Sequence, residues 1–283
     1  MRGLLRFLTP PGSVTPAIAA AAACFALLAF SPAALAQTRV DLELVIAVDV
    51  SLSMDLDEQR LQREGYVAAF RDAEIHKAIA SGPHARIAVT YIEWAGPASQ
   101  SVIIPWTILD SPASAEAFAG KLEQVPITRA RFTSISGALT FSRDLFASSG
   151  AAGIRRVIDV SGDGPNNAGF PVEPARDEVV AAGIVINGLP VMLKAPTSSM
   201  FDIAELDRYY AHCVIGGTGS FLVPVRELAE FKLAIRRKLL LEISGLQPPA
   251  RIVPVQNVQE DGFDCLTGEK LWRGYYFQER GPN

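Results

Sequence analysis

One strand-like stretch, Val45–Ser53, constrains the fold of this chain more than any other. Its first half is apolar, as expected for a strand that is covered on both faces of a sheet. Its second half places Asp49, Ser51 and Ser53 at alternate positions, so on an extended backbone one carboxylate and two hydroxyls project to the same side. Such a row of oxygen atoms favours Mg²⁺, Mn²⁺ or Ca²⁺ over zinc or copper. The stretch therefore predicts a buried strand that ends at a metal site.

Two later segments can supply further oxygen ligands. Thr133 lies in a short polar loop before a predicted helix, and Asp163 follows a predicted buried strand. Both belong at the carboxyl edge of the sheet, where open α/β sheets bind ligands. The alternative interpretation is that these residues cap helices and form turns, which the same residue types favour. The metal hypothesis has five candidate ligands: Asp49, Ser51, Ser53, Thr133 and Asp163.

The alternation of strands and helices predicts a doubly wound α/β fold with helices on both faces. Buried strands are expected at Val40–Val48, Ile154–Ser161 and Gly183–Leu189. Arg86–Trp94 and Ser101–Leu109 are joined by a short turn, so we expect an antiparallel pair and one antiparallel edge strand. The remaining predictions are helices at Asp57–Ile79, Ser111–Leu122, Ile135–Phe146, Pro174–Ala182, Ile203–Ala211 and Val225–Ile243, and a short strand at Phe221–Val223.

These motifs resemble the metal-ion-dependent adhesion site of von Willebrand factor type A domains over about residues 41–243. The resemblance implies a six-stranded, mostly parallel, Rossmann-like sheet with Mg²⁺ at its carboxyl edge. It also implies that an acidic residue of a partner completes the coordination. The motifs that carry it are Asp49-x-Ser51-x-Ser53, then Thr133 ahead of Ile135 and Ala138-Leu139, then Val157–Val160 ending in Asp163-Gly164.

A narrower resemblance is to a family of exported bacterial proteins of this fold that has no assigned function. It implies a bacterial protein that is periplasmic or secreted. The stretches that carry this resemblance are Glu93-Trp94, Arg156–Gly164 and Val214–Gly217.

The chain departs from the type A pattern at two places. Arg131-Phe132 precede Thr133 where type A domains commonly have glycines, which predicts a stiffer or bulkier loop. Gly162 separates Ser161 from Asp163, although the last aspartate usually follows serine or threonine directly. We therefore expect the Ser161 hydroxyl to lie behind the metal ligands.

Several charged residues near these motifs have two interpretations. Arg129 and Arg131 either flank the metal and favour an anionic partner or belong to a solvated loop. Asp159 falls inside a buried strand, where an unpaired carboxylate is costly, so we expect it to have a structural partner. Glu93 and Trp94 either lie near the site or pack at the end of a strand.

The first 36 residues predict a secretory signal peptide. Arg2 and Arg6 precede an apolar run, and Ala34-Leu35-Ala36 is a small-x-small cleavage signal. The alternative is an uncleaved membrane anchor. Cleavage leaves 247 residues, and since the leader has two basic and no acidic residues, the net charge changes from −4 to −6. This acidity argues against nucleic acid or an anionic membrane as the partner, and no later apolar run is long enough to span a membrane.

The rest of the chain divides into a type A-like domain at 37–245 and a C-terminal extension at 246–283, which we expect to pack back on the domain. Outside the leader the only cysteines are Cys213 and Cys265. In an oxidising compartment these predict one disulfide, and the alternative is two free thiols.

Three functions are compatible with these features. The first is a binding module that docks an Asp or Glu of a protein partner on a divalent ion, with no enzyme activity. The second is a metal-dependent hydrolase, since an open divalent ion can polarise a phosphoryl or acyl group. Its expected general base is missing from the pattern, because His76, His84 and His212 are not placed to converge. The third is a structural domain whose site is empty. The oligomeric state and the particular partner stay open.

Overall fold

A five-stranded mixed sheet forms the centre of the computed structural model, which describes residues 37–193, 203–246 and 263–279. The predicted signal peptide lies outside these residues. The strand order is β3-β2-β1-β4-β5, and only β3 runs antiparallel to its neighbour. The strands are β1 (Thr38–Asp49), β2 (Ile87–Trp94), β3 (Gln100–Leu109), β4 (Ala151–Gly162) and β5 (Val185–Pro190).

Strand β1 occupies the middle of the sheet, where ten consecutive residues are buried and most side chains on both faces are apolar. It pairs in parallel with β2 up to Asp49↔Trp94 and with β4 up to Val48↔Ser161. The carboxyl ends of the three strands are therefore level with one another. This register places Asp49 beside the end of β4, from which Asp163 follows.

Helices cover both faces of the sheet, as predicted. One apolar core lies between the sheet and α1, α2, α3 and α7, and the other lies between the sheet and α4, α5 and α6. Among the described residues, no helix has both the length and the apolar character that a membrane span requires. The helices are α1 (Leu56–Phe70), α2 (Ala73–Ala80), α3 (Pro112–Gln124), α4 (Ile135–Leu145), α5 (Val172–Ala181), α6 (Leu206–Tyr209), α7 (Phe231–Ser244) and α8 (Thr267–Glu279), and α6 continues into a π-helical turn at Tyr210–Val214.

The prediction of six strands is wrong, because the described residues form five. The segment expected to supply a short strand at Phe221–Val223 runs beside β5 but makes only isolated bridges, Gly188↔Leu222 and Val191↔Val225. Pro224 has no N–H to donate to a ladder. Gly217 and Gly219 adopt φ of 89° and 78°, outside the extended region.

The helix predicted at Asp57–Ile79 and the C-terminal extension, for which no helix was predicted, also differ from the structure. The single helix expected at Asp57–Ile79 is two helices, because Asp72 has an extended backbone and its carboxylate caps the second helix through the Glu74 N–H (2.8 Å). The C-terminal extension, whose sequence shows no clear periodicity, contains the 13-residue helix α8.

Candidate metal centre

Four of the five predicted ligands form one hydrogen-bonded chain at the carboxyl edge of the sheet. The Ser51 N–H donates to Asp49 Oδ1 (2.7 Å), and the Ser51 and Ser53 hydroxyls are 2.7 Å apart. The Ser53 hydroxyl in turn donates to Asp163 Oδ1 (2.7 Å). Residues from the ends of β1 and β4, 110 positions apart, thus present carboxylate and hydroxyl oxygens to one region.

The Asp49 carboxylate lacks a donor or cation for one of its two oxygen atoms among the described residues. Its side chain is fully buried, and Oδ2 has no hydrogen-bond partner among the described residues. Burial, and then the negative charge of Asp163, raise the pKa of Asp49 well above its usual value, although interactions with Ser51 and with the Asp163 N–H oppose this. A buried carboxylate oxygen without a donor is costly unless a cation balances it. The residues present therefore fit a hard divalent cation.

The donor set is poor in charged ligands. In the part of the chain that the structure describes, no three His, Cys, Asp or Glu side chains converge. The candidate centre therefore combines two carboxylates, Asp49 and Asp163, with serine hydroxyls. A divalent cation held by so few anions keeps room for water or for a further carboxylate.

Gly162 has a steric role at this edge. A β-carbon at this position would lie 2.8 Å from Asp49 Oδ2 and 3.0 Å from the Tyr210 hydroxyl. Tyr210 is fully buried, and burial followed by the charge of Asp49 raises the pKa of its hydroxyl. The glycine that departs from the type A pattern therefore makes the space that the Asp49 carboxylate occupies. Behind it, the Ser161 hydroxyl accepts a hydrogen bond from Gln62 Nε2 (2.6 Å).

Thr133, the fifth predicted ligand, is buried and is joined to the loop after β4 through its main chain. Its N–H donates to Asn167 Oδ1 (2.9 Å), and its carbonyl accepts from the Asn167 N–H (2.8 Å). Asn166 Oδ1 accepts from the Ser136 N–H (3.1 Å) at the start of α4. The two asparagines thus connect the loops that carry Thr133 and Asp163. Nothing in the sequence marks them for this role, because asparagines after Gly-Pro look like ordinary turn residues.

Two residues before Thr133 fix the shape of its loop. Phe132 has φ of 71°, in the left-handed region that favours glycine, which is the residue type common here in type A domains. Arg129 is turned toward the Asp49 loop, where its Nη2 donates to the carbonyls of Leu52 (2.6 Å) and Met54 (2.8 Å). Its guanidinium therefore holds the main chain around Ser53.

Glu93 belongs to a buried structural contact. It forms a salt bridge with Arg63 of α1, and its other oxygen accepts from the Thr128 hydroxyl (2.7 Å). Arg63 also donates to the carbonyls of Val125 and Pro126. Glu93 thus secures the end of β2 to α1 and to the loop after α3, and Trp94 beside it is buried in the second core.

Asp159 has the structural partner that its position predicts. Lys238 of α7 forms a buried salt bridge with it, and the Tyr66 hydroxyl lies 3.4 Å from Asp159 Oδ2. Lys238 also pairs with Glu242 (2.6 Å), whose Oε1 accepts from Asn187 Nδ2 (3.0 Å). We call these residues, Asp159, Lys238, Glu242 and Asn187, the buried charge cluster. It joins β4 and β5 to α7.

The structure contains the predicted disulfide between Cys213 and Cys265. Cys213 lies in the π-helical turn after α6, and Cys265 lies just before α8. The bond attaches the C-terminal extension to the second core, in which both cysteines are buried. Beside it, the Phe263 ring stacks on His212 with ring centroids 5.4 Å apart.

The sheet, its helices and this polar edge define the class of protein: the chain has a von Willebrand factor type A-like fold. Proximal thread matrix protein 1 from the mussel byssus, with a zinc-occupied MIDAS motif, superimposes with a TM-score of 0.51 at 12% identity, over 74% of this chain and 49% of that one. The pilus adhesin SpaC from Lactobacillus rhamnosus GG gives 0.55 at 11% identity, over 74% and 32%. This chain thus spans half or less of the length of these structures.

Within that class the chain belongs to the family described as "Protein of unknown function (DUF1194)", whose model matches residues 39–247. A comparison with curated proteins finds no match. The match covers β1 to α7 and ends before α8, so the C-terminal helix lies outside the matched residues.

Proposed function

We propose that this protein is an exported binding module that docks an acidic residue of a protein partner on a divalent ion. The observation that carries the proposal is the fully buried Asp49, whose Oδ2 lacks a hydrogen-bond partner among the described residues at the start of the Ser51–Ser53–Asp163 chain. A buried arrangement of this kind is stable when a cation occupies it. The proposed ligands are Asp49, Ser51, Ser53, Thr133 and Asp163.

The chemistry of these ligands supports Mg²⁺ as the ion, with Mn²⁺ or Ca²⁺ as alternatives, because all donors are oxygen atoms. The two carboxylates, Asp49 and Asp163, balance the charge of a divalent ion but do not exceed it. When bound, the ion supplies an electrophilic centre for a third carboxylate, which an Asp or Glu of a partner provides. The similar folds of a matrix protein with an occupied MIDAS motif and of a pilus adhesin support a binding role.

Export is part of the proposal. The disulfide between Cys213 and Cys265 supports an oxidising compartment, where such bonds persist. The leader at 1–36 would direct the chain there, to the periplasm or beyond. The first measurement is the mass of the protein recovered outside the cytoplasm, which should correspond to a chain that begins at Gln37 and contains no free thiol.

Metal binding is tested by calorimetric titration of chelator-treated protein with Mn²⁺ and Mg²⁺. We expect saturable binding to the wild type and none to Asp49→Ala. The matched control is Asp57→Ala, since the Asp57 side chain is also acidic and close in sequence but is 88% exposed. Absence of binding to the wild type would remove the metal from the proposal.

A pair of glycines gives a second, steric test. Gly162→Ala places a β-carbon 2.8 Å from Asp49 Oδ2, whereas a β-carbon at Gly164, on the other side of Asp163, would have no described atom within 4 Å. We therefore expect Gly162→Ala to lose metal binding and Gly164→Ala to keep it. Equal behaviour of the two variants would show that the Asp49 carboxylate does not bind the ion.

Partner docking is tested by capture from the exporting cell with immobilised protein, with and without chelator. We expect at least one captured protein to be released by chelator and to be absent from Asp49→Ala beads. Its Asp or Glu residues are then replaced one at a time. Capture that ignores both the chelator and the substitution would contradict metal-dependent docking.

A further inference from the structure

Helix α8 packs against the loop that follows Asp163. A β-carbon on Gly268, at the start of the helix, would overlap the Asn166 carbonyl oxygen and lie 3.0 Å from the Pro165 ring. Only glycine permits so close an approach of two backbones. Farther along the same helix, a β-carbon at Gly274 would have no described atom within 4 Å. The first turn of α8 thus touches the loop, and a later turn offers a glycine that does not.

Asn166 is fully buried at this contact and its hydrogen bonds meet there. Its Nδ2 donates to Glu269 Oε1 of α8 (2.7 Å) and to the Phe170 carbonyl (3.0 Å). Its Oδ1 accepts from the Ser136 N–H (3.1 Å), and its own N–H donates to the Tyr209 hydroxyl (3.1 Å). Glu269 therefore helps to fix the orientation of an amide whose other end holds α4.

Asn166 lies close in sequence to one proposed ligand, and its partner Ser136 lies close to another. Asn166 lies three residues after Asp163, and Ser136 lies three residues after Thr133. One buried amide therefore sets the distance between the two loops that carry the proposed ligands from β4 and α4. Glu269 of α8 bonds to that amide, so the helix is connected to both loops through one side chain.

A second contact from α8 reaches the other loop directly. The rings of Trp272 and Phe132 meet edge to face with centroids 5.2 Å apart. Phe132 is the residue held at φ of 71° immediately before Thr133. An aromatic contact of this kind stabilises a backbone conformation that is otherwise unfavourable for a residue with a β-carbon.

The disulfide fixes α8 in this place. Cys265 lies two residues before the helix and is bonded to Cys213 in the turn after α6. The same segment contributes Tyr209, whose buried hydroxyl accepts from the Asn166 N–H. The covalent bond and the hydrogen-bonded contact thus restrain the same end of α8.

We propose that helix α8 is required for metal binding at the candidate site, and that Glu269 is a positioning residue. Through Asn166 and Phe132 the helix holds the Asp163 loop and the Thr133 loop at the separation that metal binding requires, and the disulfide keeps the helix there. This inference rests on the proposed metal function. It extends the site beyond the residues that the family model matches.

The two glycines of α8 provide the test. Mn²⁺ affinity is measured by calorimetry for full-length wild type, Gly268→Ala and Gly274→Ala, with the disulfide intact. Both changes replace a glycine of α8 by alanine, which is the better helix former, but only the first forces α8 away from the Asn166 carbonyl. We expect Gly268→Ala to weaken Mn²⁺ binding by about tenfold or more, as outer-shell changes do, and Gly274→Ala to bind like the wild type.

A second set of variants separates positioning from folding. Glu269→Gln keeps an oxygen that can accept from Asn166, and Glu269→Ala does not. We expect Glu269→Ala to weaken Mn²⁺ binding and Glu269→Gln to restore it to within about twofold, with equal circular dichroism spectra at the titration temperature. Replacing Cys213 and Cys265 together by serine should weaken binding in the same direction.

The outcomes distinguish this inference from the proposed function. If the wild type binds Mn²⁺ and Gly268→Ala and Glu269→Ala bind it equally well, α8 is not part of the site, and the proposed function stands. If the wild type binds no divalent ion, both proposals fail. Weaker binding in Gly268→Ala and Glu269→Ala, together with unchanged binding in Gly274→Ala and Glu269→Gln, supports the inference.

Discussion

Two regions of the molecule contain buried carboxylates, and they differ in how the charge of these carboxylates is balanced. In the buried charge cluster, Asp159 and Glu242 share the ammonium of Lys238. The second region is the candidate metal edge, formed by Asp49, Ser51, Ser53 and Asp163. Asp49 is equally buried there, but no salt bridge among the described residues reaches it. Its neighbours are serine hydroxyls and a second carboxylate, Asp163.

A buried carboxylate with a cation in the chain is structural, whereas one without such a cation is a candidate binding group. Buried charges are retained when a partner of opposite charge is supplied. The charge cluster has its cation within the chain, so it fastens α7 to the sheet. At the metal edge the chain supplies anionic and neutral oxygens, so the proposed counter-charge comes from solution. The following experiments test this contrast, from the largest expected effect to the smallest.

Replacing Lys238 by Met should give the largest effect. It leaves Asp159 and Glu242 buried without a counter-charge, which is expected to lower the free energy of unfolding by about 3–5 kcal/mol. Urea unfolding of chelator-treated protein measures the loss. Asp49→Asn is the matched change at the metal edge and should not destabilise the chelated protein, since it removes an unbalanced charge. Comparable losses of unfolding free energy in the two variants would show that the two regions do not differ in how their charge is balanced.

The charge cluster should also make stability depend on pH. Burial, and then the charge of Asp159, raise the pKa of Glu242 from 4.5 to about 7, while Lys238 opposes the shift. A carboxyl that holds its proton more tightly when folded stabilises the fold below pH 4.5, and this contribution is lost as the pH rises through 7. The expected loss is on the order of 3 kcal/mol.

The measurement is the difference between wild type and Glu242→Gln in urea unfolding at several pH values with chelator present. Titration of Asp49 is common to both proteins and cancels. A difference that stays constant from below pH 4.5 to above pH 7 would show that Glu242 keeps its ordinary affinity for protons in the folded protein.

Divalent metal should stabilise the folded protein through Asp49 and not through the buried charge cluster. At about 100 times its dissociation constant, an ion that binds only the folded state adds about 2.7 kcal/mol to the free energy of unfolding. We expect this gain in the wild type and in Glu242→Gln, and none in Asp49→Asn. Thermal or urea unfolding with Mg²⁺, Mn²⁺ or chelator measures it. A gain that survives Asp49→Asn would locate the ion elsewhere.

The smallest effect is expected from Arg129→Met, which frees the carbonyls of Leu52 and Met54 and loosens the main chain around Ser53. Mn²⁺ affinity should fall roughly tenfold, or about 1.4 kcal/mol. Arg60→Met is the control, because Arg60 forms an exposed salt bridge with Asp57, and such pairs contribute about 0–1 kcal/mol. Equal affinities for the two variants would mean that Arg129 has no influence on the site.

The sequence pattern is enough to predict the class of fold and the edge of the sheet at which the candidate ligands lie. Apolar strands that alternate with helices specify a parallel sheet, and ligands at strand ends must then share one edge. The hydrogen-bonded chain from Asp49 to Asp163 lies where this argument places it. The disulfide was predicted from two cysteines outside the leader in a chain expected to be exported, with two free thiols as the alternative, and the structure contains the bond.

The strand count, the partner of Asp159 and the contacts of the C-terminal extension could be established from the three-dimensional structure alone. Bridges beside β5 do not become a strand where Pro224 and two left-handed glycines interrupt them. The pairing of Asp159 with Lys238, and of Asn166 with Glu269 across 103 residues, depends on which helix faces which strand end. Local pattern cannot specify such contacts, because they form between segments whose spacing in the sequence carries no periodic signal.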